Sequence, residues 1–528
     1  MPKPIFLLQL AHRAKNMSLK SSVIQTLRRI AGDSNVLTDP EDLYAYSFEQ
    51  FFRQKQYPRI DAVVKVSSSL QANEIRELAQ VEGFLVFKRT EGKSGFDQTP
   101  SKAVVLIDDA DPPQLEGLLN LNEKQPQTAD LEQEIKRAGH GSFRNYALAL
   151  NSFFSDLPSQ KCLACKVCSG YCPVSPSFNN VETWSSKGRA IIARALSSGE
   201  LSPSPKAIDI LYSCSLCGLC FAPCFESTQV RKAILDTRRR IAQKKGVPDL
   251  FAATAKNIFE VGDPSGMPPS KRVTWTQQLP QKGVFPQKAS VLYWAGCVAS
   301  TRTPNTAKAL GNILNKAHVE FTYLGEREGC CGYVLFASGL WNEAKKNAST
   351  LVERLSQTKA ETLITTCAGC YYTFTKMYPE ILGISLPFKV QHATQYVENL
   401  IKEKDLVPRD LNWKITYHDP CSLGRHSNVY NSPRNVLNAV PKLDFVEMSL
   451  NRTRSRCCGA GGGLWSFNNT VANNCATERL VKDAVPLGVS ALTTACPTCH
   501  INLRNAATRK TPGIKVYDVV EIADLSTS

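Results

Sequence analysis

The sequence has no run of about 18 or more apolar residues, the length that a helix needs to cross a bilayer. Its first residues, MPKPIFLLQL, include a short apolar run, but no small-residue cleavage site follows, so we do not expect a secretory signal. Repetitive stretches are also missing, which excludes a fibrous or largely disordered chain. We therefore expect a cytoplasmic protein, or one held peripherally on the inner face of the cytoplasmic membrane.

The composition is that of a globular chain with several domains. Its 528 residues are 43% hydrophobic and 21% charged, which is ordinary for such chains. The net charge of +16 would permit nucleic-acid or anionic-lipid binding. The basic residues are scattered, however, with Arg238–Arg240 and Lys244–Lys245 the densest groups, so we expect no nucleic-acid partner. Negatively charged metal–thiolate sites would offset part of the excess.

Cysteine is the residue type that stands out, with nineteen copies. That number is typical either of a small secreted disulfide scaffold or of metal sites in a reducing compartment. The chain is too long for the first class and has no secretion signal. The spacing of the cysteines favours metal.

Two segments repeat the spacing C-x-x-C-x-x-C-x-x-x-C. In two-cluster ferredoxins the fourth cysteine of such a run ligates the other cluster. We therefore predict two cubane [4Fe–4S] clusters. The two ligand sets are Cys162, Cys165, Cys168 and Cys224, and Cys214, Cys217, Cys220 and Cys172. Structural zinc is the alternative, but a third cysteine at the same spacing is superfluous for tetrahedral zinc.

Ten further cysteines form two copies of a longer pattern, a single cysteine, then CCG, then C-x-x-C. The copies are Cys297, Cys330, Cys331, Cys367 and Cys370, and Cys421, Cys457, Cys458, Cys496 and Cys499. Adjacent cysteines point in different directions, so they could bridge two iron-containing fragments. Gly332 and Gly459 would let the backbone approach a cluster closely. Cys475 belongs to no pattern, and we expect it to be a buried apolar residue.

The C-terminal part of the chain contains an internal repeat. Each copy opens with a strand and a cysteine, SVLYWAGC or WKITYHDPC, and alternates strands with helices, which predicts α/β halves with parallel strands. The predicted fold class is multidomain α/β. The predicted segments are a degenerate FAD-oxidase-like α/β domain at 17–125, a linker at 126–150, a helical two-cluster ferredoxin-type domain at 151–245, a second linker at 246–288, and CCG halves at 289–405 and 406–525.

Residues from about 155 to 525 resemble a known family. The stretches YWAGC, GEREGCCG, TTCAGCYYTF, YHDPCSLGRH, RCCGAGGG and TACPTCHINL are similar to the cysteine-rich domain of heterodisulfide reductase catalytic subunits and of the iron–sulfur subunits of glycolate and lactate oxidases. The resemblance implies one or two noncubane [4Fe–4S] clusters on the ten CCG cysteines. In the reductases such clusters cleave a disulfide, and in the oxidase subunits the region passes electrons onward.

Two histidines lie beside predicted ligands in the sequence, His418 and His500. Both are candidates for hydrogen bonds that tune a cluster, and the alternative is polarity that stabilises the fold. Ser422 stands where the family often has histidine, which removes one proton donor.

The N-terminal segment 35–108 resembles the start of the flavin-binding domain of glycolate and lactate oxidase flavoprotein subunits, through NVLTDPEDLYAYSFEQ and PRIDAVVKVSSSLQANEIRELAQ. The predicted strands are 61–66, 84–89 and 102–108. The loop that should cradle the pyrophosphate, KRTEGKSGF, has only two glycines and carries Glu91. The segment is also about half a flavin module. We therefore expect a docking or structural domain that binds no FAD.

Together these features predict an iron–sulfur electron-transfer subunit of an oxidoreductase complex. Electrons would come from a flavoprotein partner, either a 2-hydroxy-acid oxidase or an electron-transfer flavoprotein, and leave for a quinone, a membrane cytochrome or another acceptor. The alternative is a disulfide reductase in which the CCG sites perform the chemistry.

Overall fold

The structure is a computed structural model that describes residues 19–47, 60–89, 104–108, 167–224, 229–286, 288–358 and 360–527. The chain divides into two compact units, one of Met1–Ile208 with Cys224–Val230 and one of Asp209–Pro223 with Arg231–Ser528. The predicted α/β class is confirmed, with many helices and largely parallel sheets. In the part of the chain described, no helix has the length and apolar character needed to cross a membrane.

The first unit contains a four-stranded sheet. Its strands are β1 (Val36–Leu37), β2 (Ala62–Lys65), β3 (Leu85–Arg89) and β4 (Val104–Asp108), in the order β1-β2-β4-β3. Only the β1–β2 pair is antiparallel. Its helices are Ser21–Ala31, Pro40–Ser47 and Ser69–Glu82. Leu27 and Ile75 from these helices share a buried apolar core with Ala62 and Val64 of the sheet. The predicted loop KRTEGKSGF extends beyond the described residues.

The remaining described part of the first unit carries part of the dicluster segment. Short 3-10 turns at Ser169–Tyr171, Ser175–Phe178 and Glu182–Trp184 precede the helix Ser186–Ser198. The next helix, Pro205–Tyr212, begins in this unit and ends in the second. Ser185 caps the first of these helices, since its side chain accepts a hydrogen bond of 3.1 Å from the Gly188 N–H. Residues 167–224 and 229–245 contain helices and no strand.

The second unit contains two parallel sheets of the same topology. The first half has β5 (Val291–Trp294), β6 (Phe321–Thr322), β7 (Thr362–Thr365) and β8 (Lys389–His392), in the order β6-β5-β7-β8. The second half has β9 (Lys414–His418), β10 (Asp444–Phe445), β11 (Ala491–Thr494) and β12 (Lys515–Asp518), in the order β10-β9-β11-β12. Every neighbouring pair is parallel. The identical order confirms that the two halves repeat one fold.

Helices cover both sheets. Those of the first half are Gly296–Thr301, Pro304–Lys316, Tyr333–Ser338, Trp341–Ser356, Ala368–Tyr372, the π-helix Thr373–Leu382 and Ala393–Glu403. Those of the second half are Asn431–Asn438, Leu464–Phe467, Asn469–Arg479, the π-helix Leu480–Ala484, Pro497–Lys510 and Val519–Ser526. Since strands β5, β7, β9 and β11 each end just before a cysteine, the cysteines collect at the carboxyl ends of the sheets, where parallel α/β folds place their sites.

The described part of residues 246–288, which the sequence predicted to be a linker, is structured instead. It contains the helix Asp249–Val261 and the 3-10 helix Pro269–Gln278. Trp275 is 1% exposed, and its ring lies 5.5 Å from that of Tyr293 and 5.1 Å from that of Tyr323, both edge-on. The segment is rich in proline and lysine, but several of its large apolar residues, among them Ile258, Trp275 and Leu279, belong to the core of the first half.

Replacing Trp275 by alanine tests whether this segment is part of the core. We expect W275A to lose about 3–5 kcal/mol of unfolding free energy, because the change removes a buried indole and leaves a cavity. Val284 lies in the same segment but is 75% exposed, so V284A should unfold with the wild type. Anaerobic denaturation followed by circular dichroism would measure both, and equal midpoints for the two variants would restore the linker interpretation.

Candidate metal centres

The five cysteines of the first CCG pattern lie together, and we call them the first cysteine-rich site. Cys297 lies three residues after the end of β5, and Cys367 two residues after the end of β7. The thiols lie close enough to shift one another's pKa in series, Cys297 with Cys330, Cys330 with Cys331, Cys331 with Cys370, and Cys370 with Cys367. Four of the five are buried, and Cys297 is partly exposed. The sequence pattern therefore corresponds to a continuous group of sulfur atoms.

The second cysteine-rich site is built in the same way from the second CCG pattern. The thiol pairs are Cys421 with Cys457, Cys457 with Cys458, Cys458 with Cys499, and Cys499 with Cys496. The Sγ atoms of Cys458 and Cys499 are 3.2 Å apart. The strand register brings the two segments together, because β9 and β11 are neighbours and pair His418 with Thr494.

Two further thiol contacts extend this series of sulfur atoms, and spacing alone did not predict either. The thiols of Cys367 in the first site and Cys496 in the second shift each other's pKa, so they lie close together. Cys217 of the second ferredoxin-type motif has the same relation to Cys457 of the second site. The described cysteines of the second unit therefore include an unbroken series from Cys217 through the second site to the first.

The first cysteine-rich site fits a sulfur-rich cofactor. Trp294 is fully buried, and its Nε1 has no hydrogen-bond acceptor among the described residues. A Cβ atom on Gly296 would lie 3.3 Å from the Cys370 Sγ and 3.4 Å from that Nε1, so the glycine leaves space beside both. The backbone N–H of Gly332 donates to the Cys330 Sγ at 3.4 Å, and that of Gly459 to the Cys457 Sγ at 3.3 Å. In both cysteine-rich sites, such N–H donors would stabilise the thiolate ligands of an iron–sulfur cluster.

Glu328 holds the turn that carries Cys297, a role that the sequence did not suggest. Its carboxylate accepts hydrogen bonds from the N–H groups of Ala295 at 2.9 Å and Gly296 at 2.7 Å. Burial raises the pKa of Glu328 to about 8, although Arg272 and these two donors oppose the shift. The carboxyl group thus fixes the start of the helix Gly296–Thr301.

His418 contacts the second cysteine-rich site. Its Nδ1 accepts a hydrogen bond of 3.3 Å from the Arg479 Nε, which leaves the other ring nitrogen as the donor, and Cys458 is its partner. One ligand atom each of His418, Cys458 and Cys499 lies within 4.8 Å of the others. Arg479 is itself paired with Asp483 at 2.8 Å. The side chain that the sequence singled out therefore lies where it can tune the site.

His500 has different neighbours, although it follows Cys499 directly. Its Nδ1 lies 3.4 Å from the Thr306 Oγ1 and 3.8 Å from the Glu521 carboxylate. Burial lowers its pKa to about 4. The ring lines a cavity of about 370 Å³ with Arg504 and Tyr517, so these contacts are with the fold and not with a thiol.

The ferredoxin-type cysteines are described only in part. Cys168, Cys172 and Cys224 belong to the first unit, and Cys214, Cys217 and Cys220 to the second. Cys162 and Cys165 lie outside the described residues. Within the first unit, the Arg189 Nη1 donates to the Cys172 Sγ at 3.4 Å and the Ser186 Oγ to the Cys168 carbonyl at 2.7 Å. The division of the eight cysteines into two ligand sets stays a prediction.

Two of the three arginines in the basic run Arg238–Arg240 contact the interior, whereas Arg240 is exposed. Arg238 is fully buried and donates to the carbonyl oxygens of Leu211, Cys214, Ala337 and Gly462 at 2.6 to 3.2 Å. The guanidinium of Arg239 lies 4.5 Å from the ring of Trp341. Both side chains serve the fold of the second unit.

Comparison with known proteins agrees with these sites. A model of the CCG cysteine-rich domain matches residues 291–375 and again 415–504, and a model of a 4Fe-4S dicluster domain matches 158–228. The chain is therefore an iron–sulfur protein with a dicluster domain and a duplicated cysteine-rich domain, and it carries several [4Fe–4S] clusters.

Its relatives narrow this class to a family. The D subunit of the dihydromethanophenazine:CoB–CoM heterodisulfide reductase from Methanosarcina barkeri is 32% identical over 394 residues, which are 70% of this chain and 94% of the relative. The Methanosarcina acetivorans subunit is 35% identical over 59% of this chain and 76% of its own length. One subunit of the CoM/CoB fumarate reductase of Methanothermobacter marburgensis is 27% identical over 60% of this chain and 62% of its own length. The chain belongs to the heterodisulfide reductase D-subunit family, whose members are iron–sulfur subunits of oxidoreductases.

We call residues 214–220 the second dicluster loop. A substitution at Gly462 tests whether this loop packs against the second half. A Cβ atom on Gly462 would lie 2.6 Å from the Ser215 carbonyl carbon and 2.7 Å from the Cys214 oxygen. We expect G462A to displace the loop and lose the iron and the EPR signal of one cubane cluster. Gly488 has nearly the same φ, 62° against 64°, and nothing within 4 Å of its Cβ position.

G488A is therefore the matched control, since it has the same backbone strain without the clash. Iron and acid-labile sulfide analysis would compare the two purified variants. Full iron in G462A would contradict the contact, as would an equal loss in G488A.

Proposed function

We propose that this chain reduces a thiol disulfide as the iron–sulfur subunit of a multi-subunit complex. The observation that carries the proposal is the contact of Cys367 with Cys496, which makes the two cysteine-rich sites neighbours. The reaction is R–S–S–R′ + 2 e⁻ + 2 H⁺ → RSH + R′SH. It needs two electrons in one place, and two adjoining sites are suited to supply them.

The residues that would hold the clusters are the two sets of five cysteines. A [4Fe–4S] cluster, when bound, accepts and releases electrons singly at a potential set by its ligands and their hydrogen bonds. Thiolate is the form that binds metal. Hydrogen bonds with Cys367 and Cys499 hold the pKa of Cys496 well below its ordinary value, and a hydrogen bond with Cys457 does the same for Cys458.

The names of the relatives support a disulfide as substrate. The Methanosarcina proteins are named as subunits of a CoB–CoM heterodisulfide reductase, and the fumarate reductase subunit also carries CoM and CoB in its name. We propose that this chain likewise works with partner subunits that supply electrons to the dicluster motifs, and that one of them is a flavoprotein. The segment 17–125 would dock or support such a partner.

A second candidate is electron relay without disulfide chemistry, from a flavoprotein to a quinone or a membrane cytochrome. The likeness to a fumarate reductase subunit favours it, because that name includes an acceptor other than a disulfide. In a relay the ten cysteines would hold clusters that only pass electrons on.

Anaerobic turnover separates the two candidates. Purified protein is mixed with reduced benzyl viologen, and the CoM–CoB heterodisulfide, cystine or glutathione disulfide is added. We expect dye oxidation with the release of two thiols per disulfide for at least one of them. About sixteen irons per chain should be present if all four sites hold [4Fe–4S] clusters.

Variants of the two joining cysteines sharpen the test. C367S and C496S should lower the rate at least ~10-fold, since changes around a metal site cost that much or more. The control is C475A, because Cys475 is buried but belongs to neither site. A fully loaded protein that reduces none of the three disulfides would instead support the relay.

A further inference from the structure

The second dicluster loop, residues 214–220, packs against two segments of the second half. One is the segment after Cys421, where the His426 Nε2 is 3.1 Å from the Leu216 carbonyl oxygen. The other is the glycine run 461–463, in which a Cβ atom on Gly461 would lie 2.9 Å from the Ser215 oxygen. Glycine at these positions thus leaves room for the loop.

Arg425 joins the loop to the second cysteine-rich site. Its Nε donates to the Cys217 carbonyl oxygen at 2.9 Å. Its Nη1 donates to the carbonyl oxygens of Ser455 at 2.6 Å and Thr453 at 3.2 Å, just before Cys457. One rigid guanidinium therefore fixes both backbones whose cysteine thiols meet, Cys217 and Cys457. A lysine cannot reproduce this, because its single ammonium lacks the planar fork.

The charge of Arg425 is as well placed as its hydrogen bonds. Burial opposes the guanidinium charge, but the thiols of Cys217, Cys421 and Cys457 outweigh that cost and raise its pKa. A fixed positive charge between two metal–thiolate sites favours the reduced, more negative state of both.

The first half has the same fold but a different residue at the position of Arg425. Counting from Cys297 and from Cys421, the position equivalent to Arg425 is Thr301. The Thr301 hydroxyl donates to the carbonyl oxygen of Cys297 at 2.7 Å, a bond within its own helical turn. The arginine thus occurs in the half against which the dicluster loop packs, so the repeat itself does not require it.

We propose that Arg425 is a positioning residue that holds the second dicluster loop against Cys457 and eases the passage of electrons between them. In each passage one electron leaves the dicluster site and one arrives at the second cysteine-rich site, with no bond made or broken. This role rests on the proposed function only in that electrons enter through the dicluster motifs. It does not depend on which acceptor they finally reach.

The experiment uses the full-length, cluster-loaded protein and the variants R425Q and R425K. Redox titration followed by EPR and visible absorption gives the potentials of the sites. Rapid freezing after mixing with substoichiometric dithionite gives the rate at which the second cysteine-rich site is reduced after the dicluster site. We expect R425Q to lower the potentials of both sites and to slow this transfer at least ~10-fold. R425K should retain the potentials but not the rate.

The control is R239Q, which removes the same charge from a partly buried arginine of the second unit that stacks on Trp341. It should match the wild type in both measurements. Wild-type potentials and transfer rate in R425Q would overturn the proposal. If R425Q fails to load its clusters, R425K decides, with slowed transfer supporting the role and a wild-type rate rejecting it. Neither the redox titration nor the transfer rate uses a disulfide. Both can therefore be interpreted even if the protein reduces no disulfide.

Discussion

Burying a row of sulfur atoms is the constraint on which the second unit depends. A thiolate in a protein interior is costly unless charge or hydrogen bonds compensate it. The thiols partly compensate one another, since hydrogen bonds lower the pKa of Cys496 while a hydrogen bond with Cys458 raises that of Cys499. Iron binding requires the thiolate form of each ligand, and the folded chain has already brought these ligands together.

The repeated fold satisfies this constraint twice with different neighbours. In both halves a glycine N–H after the CCG cysteines donates to sulfur. The strand before the first cysteine ends in Trp294 in one half and in His418 in the other. Glu328 precedes the cysteine pair of the first half, and Ser455 has the corresponding place in the second. The two sites therefore have unequal surroundings although their ligands match. Because charge and hydrogen bonds set cluster potentials, clusters bound at the two sites would differ in potential.

The sequence predicted the features that leave a pattern along the chain. Cysteine spacing identified the two kinds of motif, and the repeat predicted two parallel α/β halves. Contacts between distant segments leave no such pattern, so the meeting of Cys367 with Cys496 appeared only in the fold. His500 shows a local limit, because one step along a helix turns a side chain by about 100° and the neighbour of a ligand in sequence contacts other groups. Trp275 shows a second limit, because the proline and lysine around it led us to predict a linker where the structure has part of the core.

The net charge of +16 was a poor guide to the surface for a related reason. Arg238, Arg272 and Arg479 are all fully buried, and each donates to backbone carbonyl oxygens. Loops that carry cysteines expose many carbonyl groups that no strand or helix pairs, and a guanidinium with five donors can bind several of them at once. Part of the basic excess is thus needed to hold the ligand loops. It also balances the negative charge of metal–thiolate sites, so the field that an acidic partner meets is weaker than the composition suggests.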